Sequence, residues 1–262
     1  MDNLITIISP ATTMNFEKNI KLEKASNPVF SKDIDYLISL LKEFNMDDIS
    51  KLMNLSEDLA KLNYDRYKNF SDKNNKKLQS ILAFDGEVFN SMQVSDFTEC
   101  DFEFANEHIR IMSGLYGILY PFDLIEPYRL EMKAKLKNEC GNDLYKFWKS
   151  KITNFIIEEL KDTDNKILVN LASSEYLKCI DLKSIKKDFK FIDVVFKDYD
   201  LKSDSYKVKG LYAKKARGYM CKFIVKNKID TLADLLSFNE QGYSYNSELS
   251  NHEVITFTRK AN

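Results

Sequence analysis

The sequence predicts a mixed α/β fold (α+β) in a single domain spanning residues 1–262, with a mixed sheet flanked by helices. Short apolar runs such as Leu4–Ile8 alternate with longer segments whose apolar residues recur at helical spacing. These elements do not follow a regular βαβ repeat. Only 7 glycines and 4 prolines interrupt the 262 residues, so nothing in the chain indicates a linker between domains.

The N-terminal part of the chain predicts one strand and several helices. Leu4–Ile8 indicates a buried strand that ends at Ser9-Pro10. Residues 31–70 carry an apolar stripe that breaks near residues 45–48, where Asp47 or Asp48 is expected to cap the second helix. Two further helices are predicted over Lys76–Leu82 and Asp96–Glu107.

The rest of the chain adds the remaining strands. Asn142–Leu160 is amphipathic and predicts a long helix, Ser173 or Ser174 begins a short one, and Lys214–Lys228 predicts a third. The predicted strands are Ile109–Met112, Lys166–Leu171, Phe191–Phe196, Ser205–Tyr212 and Val254–Thr258.

Composition excludes several classes of protein. No run approaches the roughly 20 apolar residues of a membrane span, and the N-terminal apolar run is too short for a signal peptide, so we expect a cytoplasmic protein without a membrane partner. The 4 cysteines form no metal-type pair and the 2 histidines are isolated, so we expect no metal and no cofactor.

Charge is unevenly distributed along the chain. The segment Leu78–Ile109 has seven acids and no Lys or Arg, whereas Ser205–Lys228 has eight bases and no acid. Such a basic run can form a face for phosphates. Alternatively, the two segments touch and neutralise each other, or the lysines are simply solvated; on charge alone these readings are favoured.

The first candidate site segment is Arg110–Met132. Ser113, Gly114 and Gly117 follow a strand, where backbone N–H groups could meet a ligand or form a tight packing turn. Tyr128 and Arg129 follow Pro127, and an arginine among apolar residues needs an anionic partner, either a ligand or an internal carboxylate.

Two further segments complete the candidate anion site. Asn170, Ser173 and Glu175 lie at the carboxyl end of a predicted strand, where α/β sheets bind ligands, although a capped helix explains them equally well. Lys214, Lys215 and Arg217 are placed at a predicted helix start, where three cations favour a bound anion. Arg217 lies beside the apolar stripe of that helix, whereas Lys215, Lys222 and Lys226 lie opposite.

Six motifs in order, over nearly the whole chain, resemble the bacterial YaaA family. They are Ile8–Thr13, Ile81–Phe89, the segment Ile109–Met132, Asp143–Trp148, NLASSEYLK from Asn170, and LYAKKARGYM from Leu211. The resemblance implies an unusual α/β fold, protection against hydrogen peroxide, and DNA binding through a basic cleft and a helix-hairpin-helix element. The partner we therefore expect is double-stranded DNA or a small phosphate-bearing ligand. The alternative function is that of an enzyme acting on a nucleotide-like anion.

Three departures from that family concern phosphate binding. Thr12 stands where lysine is usual, Tyr120 stands where arginine is usual, and the hairpin glycine is replaced near Lys61. The segment Leu52–Lys68, which would form the hairpin, has no glycine and has acidic neighbours, so its own residues favour two packed helices.

Overall fold

A computed structural model describes residues 4–162 and 166–260. The first and last residues of the predicted domain, 1–3 and 261–262, and the stretch 163–165 lie outside the described residues. The centre of the molecule is a mixed sheet of eight strands, flanked by helices, as the sequence predicts.

The parallel part of the sheet is built from five strands. In spatial order they are β3 (Ile109–Ser113), β1 (Ile5–Ile8), β6 (Ile167–Leu171), β7 (Lys190–Asp200) and β10 (Val254–Arg259). Because β1 and β6 are buried on both faces, they consist almost entirely of apolar residues.

Antiparallel strands extend the sheet. They are β4 (Gly117–Leu119) beside β3, β9 (Ser244–Tyr245) beside β10, and β8 (Ser205–Lys207) beside the end of β7. A separate pair joins β2 (Leu78–Gln79) to β5 (Leu124–Ile125).

The helices of the described residues pack around this sheet. They are α1 (Ser31–Glu43), α2 (Met46–Met53), α3 (Glu57–Lys68), α4 (Ser80–Ala83), α5 (Glu87–Met92), α6 (Glu99–His108), α7 (Leu144–Lys161), α8 (Ser174–Leu177), α9 (Leu182–Asp188), α10 (Gly210–Lys226) and α11 (Leu232–Leu235). Short 3-10 turns cover Val94–Asp96 and Glu240–Gly242.

Four predictions about these elements are wrong. The strand predicted over Ser205–Tyr212 ends at Lys207, and α10 begins at Gly210, one turn before the predicted start at Lys214. Lys76–Leu82 divides into β2 and the beginning of α4. Asn45, not Asp47 or Asp48, caps α2. Its side chain accepts a hydrogen bond from the Asp48 backbone N–H, and the Asp48 carboxylate accepts one from the Asn45 backbone N–H.

The helices α2 and α3 pack against each other. Between them Asn54 adopts the left-handed conformation, with φ of 52°. Its short polar side chain tolerates that conformation, so the chain turns here without a glycine.

Candidate functional site

A cavity of about 380 Å³, here called the central cavity, lies where β1 and β6 end. In the sheet, β3 lies on one side of β1, whereas β6, β7 and β10 lie in that order on its other side. In open α/β sheets, such a reversal leaves a crevice at the carboxyl ends of the strands. Ser9 follows β1 directly, Ser173 comes two residues after β6, and both line the cavity.

The floor of the central cavity is fixed by hydrogen bonds between these two strand ends. The backbone N–H of Ser173 donates to Ser9 Oγ at 2.8 Å, and that hydroxyl lies 3.2 Å from Ser173 Oγ. Asn170 accepts from the Ala172 backbone at 2.9 Å and donates to Asp193 at 2.8 Å. Asn170 therefore holds the loop that follows β6 in place and does not itself line the cavity.

One wall of the cavity is α10, which packs closely on α5. Gly218 makes this approach possible, since a Cβ there would lie 2.2 Å from the carbonyl oxygen of Val88. Ala216, Met220 and Ile224 bury the apolar face of the helix. Lys214 and Arg217, on the neighbouring face, line the cavity.

Lys214 is the fifth residue of α10, so the prediction that the three cations lie at the helix start is wrong. Arg217 is nevertheless in an unusual environment. Its Nε is buried and has no hydrogen-bond partner. Burial lowers the pKa of Arg217, and the carboxylate of Asp193 only partly opposes that effect.

The acidic residues around the cavity have partners of their own. Glu87 faces Lys215 at 3.8 Å, and Asp85 lies 3.9 Å from Lys18. Glu131 binds Arg129 at 3.0 Å and Lys133 at 2.7 Å, while Glu175 accepts from the Lys133 backbone at 3.3 Å. Lys214 and Arg217, by contrast, form no ion pair within residues 4–162 and 166–260. Within the described residues, the charged groups that line this cavity without an ion-pair partner are therefore Lys214, Arg217 and Glu175.

Arg129 lies beside the central cavity, in a side pocket of about 10 Å³. The side pocket and the cavity share Glu131, Tyr176 and the loop of residues 10–12 as lining. The hydroxyl of Tyr67 on α3 donates to the Arg129 carbonyl and fixes this segment to the helix.

The residues of the predicted glycine turn are buried behind that segment. Ser113 Oγ lies 2.6 Å from the Tyr128 hydroxyl and accepts from the backbone of Tyr116 at 2.9 Å. A Cβ on Gly114 would lie 2.2 Å from the Leu130 carbonyl oxygen. Gly117 has φ of 73° and packs on Trp148. These residues do not line the central cavity; they support the chain that carries Arg129.

The basic run and the acidic segment touch, as one of the sequence alternatives states. Lys222 binds Asp96 at 2.6 Å, and Asp101 binds both Lys226 at 2.9 Å and Lys228 at 2.8 Å. Burial alone would raise the pKa of Asp101, but the hydrogen bonds from the two lysines and Thr98 outweigh it and hold the pKa well below its usual range. Lys222 and Lys226, in the C-terminal half of α10, are therefore both paired with carboxylates.

Sequence reasoning missed the loop of residues 9–13 and the segment Asp85–Asn90 as parts of the cavity wall. The available signals were Ser9-Pro10, directly after a buried strand, and Gly86, where a Cβ would lie 2.8 Å from Ala11. Thr12 is exposed and lines both the central cavity and the side pocket. Tyr120 lies elsewhere, with its hydroxyl 2.5 Å from Glu159 and its ring under Arg110.

No helix among the described residues is both long enough and apolar enough to cross a membrane. In the same part of the chain, no three His, Cys, Asp or Glu side chains are grouped so that they could hold a metal ion.

Comparison with known proteins identifies the family. A sequence profile described as "Peroxide stress protein YaaA" matches residues 4–249. A "UPF0246 protein" of Crocosphaera subtropica is 41% identical over 256 residues, which is 98% of this chain and 100% of the relative. Similar proteins from Saccharophagus degradans (98% of this chain, 100% of the relative) and Clostridium beijerinckii (98% of each) are also 41% identical. The chain therefore belongs to the peroxide stress protein YaaA family.

Proposed function

We propose that this protein serves the oxidative stress response in the cytoplasm by binding a small anionic ligand in the central cavity, with Arg217 and Lys214 as its anion contacts. The observation that carries the proposal is the Nε of Arg217, which is buried without a hydrogen-bond partner on the wall of that cavity. Four free cysteines are in keeping with a reducing compartment.

The physical argument concerns the cost of burying a charge. A guanidinium that loses water without gaining a partner is unfavourable, so such a group is normally paired. A phosphate or carboxylate would satisfy Arg217 through its planar fork. A cavity of about 380 Å³ has the size of an ordinary small-molecule site.

The same cavity also presents groups that could act on a bound ligand. Asp85 and Glu175 line it together with the hydroxyl groups of Ser9 and Ser173. Neither histidine lines it, so the described cavity offers no serine–histidine pair. Binding is thus what the geometry supports, and an enzyme acting on a nucleotide-like anion is the extension that Asp85 and Glu175 would serve.

Double-stranded DNA is a second candidate partner, supported by the exposed beginning of α10. Lys214 is exposed there and lines the central cavity, and Leu211 and Tyr212 are exposed in the turn before it. Contacts would go to phosphates, with steep salt dependence and little sequence preference. The pairing of Lys222, Lys226 and Lys228 with carboxylates argues against a longer basic track along this helix.

The experiment compares Arg217→Ala with Lys222→Ala, which each remove one positive charge from α10. Circular dichroism first confirms that each variant folds. Binding of adenosine 5′-monophosphate is then measured by calorimetry, and DNA binding is measured by fluorescence anisotropy at several salt concentrations. Survival of peroxide exposure is measured in cells that carry each variant. Because a charged hydrogen bond contributes about 1.5–3 kcal/mol, Arg217→Ala should weaken nucleotide binding roughly 10- to 150-fold. Lys222→Ala should change nucleotide binding less than about twofold, since its charge is neutralised outside the cavity.

Three outcomes are distinguishable. Loss of nucleotide binding and of survival in Arg217→Ala alone, with DNA binding intact, supports the ligand cavity. Equal and modest DNA-binding defects in both variants, without nucleotide binding, would favour a DNA-binding surface on α10 over the ligand cavity. A nucleotide that binds both variants equally well would remove Arg217 from the site.

A further inference from the structure

A second guanidinium near the central cavity shares the unusual property of Arg217. Four buried side-chain polar atoms in the described part of the chain lack a hydrogen-bond partner, and two of them are guanidinium Nε atoms. One belongs to Arg217 and the other to Arg129, which is only 22% exposed. Such atoms are rare in folded proteins, so two of them around one site call for a common explanation.

The two arginines face connected spaces. Arg217 lines the central cavity and Arg129 the side pocket, and Glu131, Tyr176 and the loop of residues 10–12 line both. A single ligand could therefore occupy the central cavity and reach Arg129 along Glu131.

The surroundings of Arg129 hold an excess of positive charge. Burial lowers the pKa of Arg66, and repulsion from Arg129 adds to that effect. Arg66 forms a hydrogen bond with Asn63 at 3.2 Å and no ion pair within residues 4–162 and 166–260. Glu131 binds Arg129 and Lys133, and Glu175 adds attraction at Lys133. Within the described residues, Glu131 is thus the carboxylate that forms ion pairs in this cluster, with Arg129 and Lys133 but not with Arg66.

Glu131 is held in its charged form. Burial opposes its ionisation, but hydrogen bonds from Lys133 and Arg129 outweigh burial and lower the pKa of this carboxyl. Only Nη2 of Arg129 is engaged by Glu131, so the remaining guanidinium donors stay available to an acceptor.

The position of Arg129 is rigid. The Tyr67 hydroxyl holds its carbonyl, Pro127 restricts the preceding chain, and Leu130 is buried against Gly114. This support fixes the backbone at Arg129, whereas the side chain, held by Glu131 through Nη2, must turn for a phosphate to enter, because the side pocket measures only about 10 Å³.

Resting on the proposed function, we propose that the ligand carries two phosphate-class groups. One binds Arg217 and Lys214 in the central cavity, and the other binds Arg129 in an enlarged side pocket. The part of the ligand that joins them lies along Glu131, whose carboxylate accepts from its hydroxyl groups. The chemical class is that of a small bisphosphate whose two phosphates are separated by a sugar-sized spacer.

The test compares one phosphate with two. Adenosine 5′-monophosphate and adenosine 3′,5′-bisphosphate are titrated by calorimetry into the full chain and into Arg129→Ala, Arg129→Lys, Arg217→Ala and Lys222→Ala. We expect the bisphosphate to bind at least about tenfold more tightly than the monophosphate, as an additional charged hydrogen bond allows. Arg129→Ala should abolish that advantage and leave monophosphate affinity within about twofold, whereas Arg217→Ala should weaken both ligands.

The variants separate a binding role from a merely structural one. Arg129→Lys keeps the charge and loses the planar fork, so it should retain part of the bisphosphate advantage, and it replaces Arg129→Ala if that variant does not fold. Equal affinity for the two nucleotides, or equal weakening of both by Arg129→Ala, would overturn the second subsite while leaving Arg217 as the anion site. Absence of binding by either nucleotide would overturn both proposals.

Discussion

The two halves of α10 carry similar charge in very different surroundings. In the first half, Lys214 and Arg217 line a cavity and form no ion pair within residues 4–162 and 166–260, although Asp193 attracts Arg217 and the neighbouring Lys215 pairs with Glu87 at 3.8 Å. In the second half, Lys222 and Lys226 bind Asp96 and Asp101. A count of charges treats the halves alike. The difference shows that a basic run indicates a ligand only where the structure leaves its charges unpaired.

The largest effect is expected at Gly218, where the two halves of α10 meet. In Gly218→Val, the new Cβ would lie about 2.2 Å from the Val88 carbonyl oxygen, so α10 must move away from α5. We expect a loss of about 3 kcal/mol in the free energy of unfolding, measured with urea, together with loss of nucleotide binding.

Gly210→Ala is the matched control, because a Cβ at the beginning of the same helix meets nothing within 4 Å. It should be neutral or stabilise the protein by up to about 1 kcal/mol. Equal losses in both variants would show that close packing at Gly218 does not position this helix.

The second prediction concerns a variant in which lysines at the C-terminal end of α10 lose their carboxylate partner. Asp101→Ala frees Lys226 and Lys228 and removes the carboxylate that completes the N-terminal cap of α6. We expect a loss of about 1–3 kcal/mol in the free energy of unfolding. At low salt, the freed lysines should increase nonspecific affinity for duplex DNA, measured by anisotropy. Unchanged DNA affinity would mean that the ion pairs with Asp101 are not what keeps the C-terminal half of α10 from binding DNA.

The third prediction is a pH dependence from the same carboxyl. Because the pKa of Asp101 is lower in the folded protein than in the unfolded chain, its contribution to stability is complete above about pH 4 and is lost as the pH falls further. The stability difference between the unmodified protein and Asp101→Asn should therefore shrink between pH 6 and pH 3 in urea titrations. A difference that grows towards acid would contradict the direction of this shift.

The smallest effect is expected at Thr12, the exposed residue that lines both the central cavity and the side pocket. Thr12→Lys adds a cation beside the proposed anion site and should tighten adenosine 5′-monophosphate binding by up to about fivefold, or about 1 kcal/mol. Ala233→Lys adds the same charge on an exposed position of α11 and should have no effect. Equal tightening in both would indicate a general influence of net charge.

The fold was largely predictable because apolar patterning decides which segments are buried. β1 and β6 are short, largely apolar runs, and the mixed sheet flanked by helices follows from such segments. The beginning of α10 was not, because Tyr206, Val208 and Tyr212 have the β-favouring character of a strand, yet Tyr212 is exposed on a helix.

The candidate site was predictable only in part. Arg217 was distinguished by its place beside the apolar stripe, and the structure puts it on the cavity wall. Gly114 and Gly117 suggested a ligand loop, yet they serve packing against Leu130 and Trp148, since small residues suit both roles. Which lysines are paired depends on contacts more than one hundred residues apart, and no local pattern contains that information.

The central claim is that the unpaired charges of Arg217 and Lys214 bind an anion, and the most direct measurement locates that anion. Crystals of the protein soaked in tungstate, a tetrahedral oxyanion that scatters anomalously, would show where a phosphate-class group binds. We predict an anomalous peak in the central cavity within hydrogen-bonding distance of Arg217. A peak along Lys222, Lys226 and Lys228 with none in the central cavity would contradict it.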